Sequence, residues 1–265
     1  MLTRFLVALV FLLAIVSTAA ITALYVSKNN GGGKVIVQQA APSPVAPAAG
    51  PSGDDAIKAY LEKNPDIASA IVQKQQQEAQ AKADAAAANA IKNKINEYER
   101  DPKNPVVGNP RGDVTLVKFS DYNCGFCKKA AKDIVDLLAE DTNLRVVMKD
   151  YPILGERSQI NAKAALAFWN LNKHRYFDFH NALLEKGAKT DEQLYALAAE
   201  YGVASADLKR VMNSEDIQAT IDRNSALAKE IQIFGTPSFL VGGEIIRGAL
   251  GVQAFKDAIA KARGR

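Results

Sequence analysis

Two cysteines occur in 265 residues, three positions apart, in "SDYNCGFCKKA", Ser120 to Ala130. Sulfur pairs have few uses, and the spacing separates them. A disulfide closing so short a loop restricts the unfolded chain little, so Cys124 and Cys127 make a poor structural staple. Zinc asks for four ligands, and only His174 and His180 could join the two thiolates. Copper(I) suits soft thiolates, but the chain has three Met and no Met-rich or His-rich tract, so a copper-binding or chaperone-like thiol protein is a secondary reading. Thiol–disulfide exchange asks for these two sulfurs alone. One attacks as a thiolate, and the other closes the ring or releases a mixed disulfide. The expected metal and cofactor set is therefore empty apart from a redox-active Cys124–Cys127 disulfide.

The elements around the pair fit that chemistry. "VTLVKFS", Val114 to Ser120, is β-branched and apolar, a buried strand. "KKAAKDIVDLLAED" has helical periodicity, and "LRVVMKDYPI", Leu144 to Ile153, reads as a second strand. The cysteines thus fall where a strand turns into a helix inside a βαβ unit, a setting for redox motifs. Cys124 at the helix N-terminus is exposed to unpaired N–H groups and the helix dipole, which favour a thiolate. Cys127 lies one turn along on the same face. Cys124 is therefore the expected exposed nucleophile and Cys127 the more buried resolving thiol, with Gly125 and Phe126 tuning the potential. A helical block follows, about 158–231, including a capping box at Thr190 and Gln193 and N-caps at Ser205 and Ser214. Two short strands, Ser238 to Val241 and Glu244 to Arg247, and a closing helix complete an α/β body. Trp169, His174 and His180 read as packing or surface residues without a chemical role, "YFDFH" being core aromatics with one hydrogen-bonded histidine.

Ahead of the body the chain changes character. Arg4 precedes an uncharged run from Phe5 to Val26, which as a helix spans roughly 33 Å, enough to cross a bilayer. Residues 1–28 read as a signal peptide or membrane anchor, and 29–53, rich in Gly, Pro, Ala and Ser, as a flexible linker. Residues 54–104 read as a helical stalk. Asn64 caps its long helix with Pro65 at the first turn, and an Ala/Gln-rich middle with few large side chains buries little against its own domain. Such a helix needs a partner, so residues 54–100 are the expected site of homo-oligomerisation. "DPKNPVVGNPRGD", Asp101 to Asp113, reads as a domain boundary. The net charge of +4 is scattered, with no Lys/Arg block, which argues against nucleic-acid binding.

"GTPSFLV" places Thr236 and Pro237 at the start of a strand. With "VKFSDYNCGFCK" and "KDYPILGERS", residues 105–265 resemble the DsbA-like periplasmic thiol–disulfide oxidoreductases. The resemblance implies a thioredoxin fold with an inserted helical domain. It makes Pro237 a cis-proline against the active-site disulfide, and lets Thr236 offer backbone groups to an extended substrate. The helical stalk is similar in architecture to that of the ScsC branch, some of whose members are oligomeric disulfide isomerases. Such a protein is periplasmic. Its clients are exported proteins with cysteines, and a membrane partner re-oxidises or reduces the pair. One position departs from the pattern. Strong oxidants of this family carry a buried Glu six residues before the nucleophile, where this chain has Lys118. An ion pair with Asp121 or another acid, or an amine reaching solvent, would relieve the burial of that charge. Lys118 therefore bears on the redox potential and on whether the protein runs as an isomerase or reductase, the favoured direction, or as a dithiol oxidase.

Overall fold

In the computed structural model, residues 53–264 are described. The expected anchor, 1–28, and nearly all of the linker, 29–53, lie outside them. Two compact units divide at the Ile57/Lys58 junction, and the second, Lys58–Arg265, holds the whole α/β body. Among the described residues no helix is long and apolar enough to cross a membrane.

The sheet has five strands: β1 (Val106–Gly108), β2 (Val114–Ser120), β3 (Leu144–Asp150), β4 (Ser238–Val241) and β5 (Glu244–Arg247), in the order β1-β3-β2-β4-β5. β2 and β3 run parallel, joined by helix α3 (Gly125–Glu140). The other pairings are antiparallel. All seven residues of β2 and all seven of β3 are buried, the signature of strands covered on both faces. Helices α4 (Glu156–Leu171), α5 (Tyr176–Lys186), α6 (Asp191–Glu200), α7 (Ser205–Met212) and α8 (Glu215–Glu230) stand between β3 and β4, and α9 (Val252–Arg263) follows β5.

The period-two alternation of β2 sorts its side chains. Leu116 points into the larger core with Cys127, Phe168, Phe179, Phe239 and Phe255. Val117 and Phe119 point the other way, into a second cluster with Val147, Tyr151, Leu227 and Leu240. Lys118 and Ser120 therefore share the face of Leu116 and Cys127.

The sequence and the structure differ at several places. β1 lies inside the Pro/Gly/Asn-dense segment read as a boundary; its three residues pair with β3 from Val106↔Val147 to Gly108↔Arg145. Gly108, at φ 75, sits where a Cβ would strike the Leu144 carbonyl, so no other residue could end this edge strand. β3 stops at Asp150 rather than Ile153, because Pro152 has no N–H for a ladder and the amides of Ile153 and Leu154 bond to the Asp121 carboxylate instead. Asn64 heads the long helix, but its side chain makes no capping bond there. Its amide donates back to the Tyr60 carbonyl at 2.8 Å, closing helix α1 (Gly53–Lys63). Helix α7 is capped by Ala204, one residue before Ser205. The capping box at Thr190 and Gln193 forms in full.

Helix α2 (Pro65–Glu99) is exposed along its first two thirds, but its last third is part of the body. Ala87, Ile91 and Tyr98 are buried in the cluster behind β2 and β3. Tyr98 is fully buried and its hydroxyl donates to the Leu227 carbonyl at 3.2 Å. At Lys94 the backbone leaves helical geometry, and the ammonium pairs with Glu230 at 2.9 Å. The expectation of a helix that buries little holds only for its N-terminal part, because the apolar triad Ile91, Ile95 and Tyr98 finds the back of the sheet. Replacing Tyr98 by Ala should therefore destabilise the body by about 3–5 kcal/mol, the usual range for a buried aromatic. Urea unfolding of the full chain checks this, and a loss near zero would show that α2 is not docked in solution.

Candidate active site

β2 ends at Ser120, and a tight turn carries the chain into α3. The Cys124 N–H donates to the Asp121 carbonyl at 3.2 Å and the Lys128 N–H to the Cys124 carbonyl at 3.1 Å, which makes Cys124 the N-cap of α3. Its side chain makes no capping bond, so the sulfur lies beside the open N–H groups of the helix end without being tied to them. One turn further on, Cys127 is wholly buried, and its sulfur accepts from the Asp121 N–H at 3.5 Å. Burial pushes the Cys127 thiol up to about 11, against the pull of the Asp121 N–H and the Ser120 hydroxyl. Both sulfurs are present as free thiols.

The third component arrives from the far end of the chain. The Cys124 thiol donates to the Thr236 carbonyl at 3.2 Å, and the Thr236–Pro237 peptide is cis. This carbonyl lies against the sulfur, and Cys124 keeps only 8% of its surface rather than the open exposure its position suggested. The two cysteines still differ in the expected sense, since Cys127 keeps none.

Asp121 organises the rim. One carboxylate oxygen accepts from the Asn123 N–H at 2.8 Å; the other accepts from Ile153 at 2.8 Å and Leu154 at 3.0 Å. The loop after β3 is thereby fastened to the turn before Cys124. Tyr151 hydrogen-bonds the Ile233 carbonyl, which holds the segment leading to Thr236. On these fastened loops and the first turn of α3 large apolar side chains face solvent: Phe126 (68% exposed), Phe234 (70%), and Ile153 and Leu154. Gly125 has open space where a Cβ would stand.

Behind the cysteines lies a buried polar cluster that the sequence did not reveal. Lys118 is fully buried and forms no ion pair with Asp121, whose oxygens are taken by backbone amides. Nor does its amine reach solvent. Its Nζ lies 3.4 Å from His180 Nε2. His180 Nδ1 lies 2.6 Å from the Tyr122 hydroxyl and 3.4 Å from that of Tyr176. Burial pushes Lys118 down to about 8, against the attraction of Cys127, Asp150 and Cys124. Burial, with Lys118 beside it, holds His180 well below its usual range. Asp150 stands level with Ser120 in the parallel pairing and is buried with both carboxylate oxygens unpartnered. Burial raises its carboxyl well above the ordinary range, Lys118 opposing and Asp121 adding. His180 was legible as a hydrogen-bonded core histidine. Its link to Lys118 joins residues 62 apart, and no local pattern carries it. Among the described residues no group of three or more His, Cys, Asp or Glu side chains could hold a metal.

Residues 115–260 match the DSBA-like thioredoxin domain, more than half of the chain. The chain belongs to this family. The DSBA-like domain makes it a protein thiol–disulfide oxidoreductase with a thioredoxin-fold core. Disulfide bond formation protein D of Bacillus subtilis is 24% identical over 168 residues, covering 59% of this chain and 76% of that protein. The thiol-disulfide exchange protein alpha-DsbA2 of Wolbachia pipientis is 30% identical at a TM-score of 0.63, over 67% of this chain and 96% of that one. A linker-deletion mutant of Proteus mirabilis ScsC shares the fold at 20% identity and a TM-score of 0.64, over 82% of this chain and 99% of that one.

The asymmetry of the pair in this DSBA-like domain gives a direct expectation. In the reduced native protein near pH 8, iodoacetamide should label Cys124 and leave Cys127 unmodified until the chain is denatured, as mass spectrometry of the digested protein would show. Equal labelling of both thiols would contradict the buried position of Cys127.

Proposed function

We propose that Cys124 is the attacking thiol and Cys127 the resolving thiol of an envelope enzyme that exchanges disulfides with exported proteins, running in the isomerase or reductase direction. The observation that carries this reading is the seat of Cys124. It stands at a helix N-terminus, against the Thr236 carbonyl and within a rim of exposed apolar side chains. The open N–H groups of the helix end stand beside the sulfur. A client segment lying extended along Thr236 would meet that residue's backbone beside the sulfur, as in β-strand addition. Phe126, Ile153, Leu154 and Phe234 suit an unfolded client, whose apolar residues are still exposed. Gly125 and Phe126 place no charge or imidazole between the cysteines, so the potential would be tuned from behind, through Lys118.

Replacement of Cys124 by Ala should abolish both insulin reduction and the refolding of scrambled ribonuclease. Replacement of Cys127 by Ala should leave client proteins covalently trapped on Cys124. Full activity in the Cys124→Ala variant would end this reading. Direction is decided separately by trapping thiols in the intact envelope: a mostly reduced Cys124–Cys127 pair, kept so by a membrane donor, supports the isomerase or reductase, and a fully oxidised pool supports a DsbA-type oxidase.

Association is proposed on the N-terminal helices. Ile57 and Tyr60 of α1 and Ile67, Ile71 and Val72 of α2 are exposed. Large apolar side chains on helices of such low burial favour a second copy of the chain, and several copies would surround one client with several active sites. Analytical ultracentrifugation of the protein from residue 53 onwards should show an oligomer that Ile67→Asp with Ile71→Asp converts to monomers. A monomer before substitution would remove the proposal.

A further inference from the structure

Three successive side chains of the turn before Cys124 are tied to three separate parts of the chain. The Asp121 carboxylate takes the amides of Ile153 and Leu154. The Tyr122 hydroxyl lies 2.6 Å from His180 Nδ1 on α5. The Asn123 side chain is met by Asn161 of α4, whose Nδ2 lies 3.3 Å from Asn123 Oδ1 and 3.4 Å from the Ala188 carbonyl. Asp121 and Tyr122 are buried. Asn123 is exposed, and it precedes Cys124 directly in the chain.

The roles in this chain of amides are fixed from its inner end. A backbone carbonyl can only accept, so Asn161 must turn its nitrogen towards Ala188. The second hydrogen of that nitrogen then faces Asn123, which can receive it only with its oxygen. The nitrogen of Asn123 is thereby turned away from α4, with two N–H groups and no partner among the described residues. Stability does not explain the arrangement. Asn161 is fully buried and its own oxygen has no partner, a cost that an apolar residue would avoid.

We propose that Asn123 binds the client directly, its amide nitrogen donating to a main-chain carbonyl of the segment attached to Cys124, and that Asn161 is the residue that positions it. The inference rests on Cys124 being the attacking thiol. A client extended along Thr236 passes the Cys124 sulfur, which is 3.2 Å from the Thr236 carbonyl. Neighbouring Cα atoms are about 3.8 Å apart, so the Asn123 amide starts one residue from the reacting sulfur. Its backbone is held too, the Asn123 N–H donating to the Asp121 carboxylate at 2.8 Å. A main-chain carbonyl recurs at every residue of any client. The contact therefore grips a chain without reading its sequence, which suits an enzyme with many clients. A small disulfide without peptide carbonyls cannot use it.

The experiment measures the second-order rates of the reduced full chain with a disulfide-linked peptide dimer and with hydroxyethyl disulfide, which has no peptide carbonyl. The readout is the ratio of the two rates, so a change in the reactivity of the sulfur itself cancels. Asn123→Ala should lower this ratio about 10-fold, the loss of one hydrogen bond. Asn161→Leu should lower it as well, because the Asn123 amide is no longer held outward. The double variant should show a ratio no lower than Asn123→Ala alone, since Asn161 acts only through Asn123. An unchanged ratio in Asn123→Ala overturns the client contact. A lower ratio in the double variant than in Asn123→Ala overturns the positioning role of Asn161. Should Asn161→Leu not fold, hydrogen exchange of the Asn161 side-chain amide decides. One of its two protons should exchange faster in Asn123→Ala than in the wild type, and unchanged exchange overturns the positioning role. Full exchange with both disulfides in Cys124→Ala would instead refute the attacking role of Cys124, a separate result.

Discussion

β2 lies in the middle of the sheet, paired on both edges and covered on both faces, and a lysine stands at its centre. A charge-bearing group there has no route to water, so it must be satisfied from within. Much of the helical block follows from that requirement. α5 packs against α3 and brings His180 to the amine, and Tyr122 and Tyr176 complete the bonding of the imidazole. The same alternation along β2 sends Val117 and Phe119 to the opposite face, where α2 and α8 close over them. One strand thus sets what each face of the sheet must contain.

The surroundings of the cysteine pair are built largely from backbone. A helix end surrounds one sulfur, an amide of the preceding turn meets the other, and the carbonyl of Thr236 lies against the first. A single carboxylate, Asp121, holds the turn before Cys124 and the loop after β3 together through three amide bonds. Because these contacts involve main-chain groups, the apolar rim side chains remain free to face solvent rather than to hold the loops in place.

Much of this was written locally. The cysteine spacing, the β-branched run before it and the helical period after it place the pair at a strand–helix junction, and Thr190 and Gln193 specify their own cap. What escaped was decided at a distance or by competition for amides. β1 is three residues in a segment whose composition favours turns, and only pairing with β3 makes it a strand. β3 ends early because a carboxylate thirty residues away in sequence takes its next amides. Asn64 has the right residue type for a cap, but its amide serves the preceding helix. The docking of α2 depends on three apolar residues meeting a surface that does not exist until the sheet forms. Lys118 stood out through the family resemblance, at a position where strong oxidants carry a buried Glu, which showed that a partner was required without showing that His180 was the partner.

The two buried lysines of β2 and β3 also set how the folded state responds to alkali. Burial brings Lys118 and Lys149 to about 8, below the 10.5 of a solvated lysine. Below pH 8 both folded and unfolded chains carry these protons, and the cost of burying them is present in full. Between about 8 and 10.5 the unfolded chain binds more protons than the folded one, so folding gains stability as pH rises. Cys127 works in the opposite sense between its ordinary 9 and about 11, where the folded chain holds the extra proton. That opposition exists only while Cys127 is a thiol. Closing the disulfide removes it and leaves the lysines unopposed by Cys127, so mild alkali favours the folded oxidised protein over the folded reduced one.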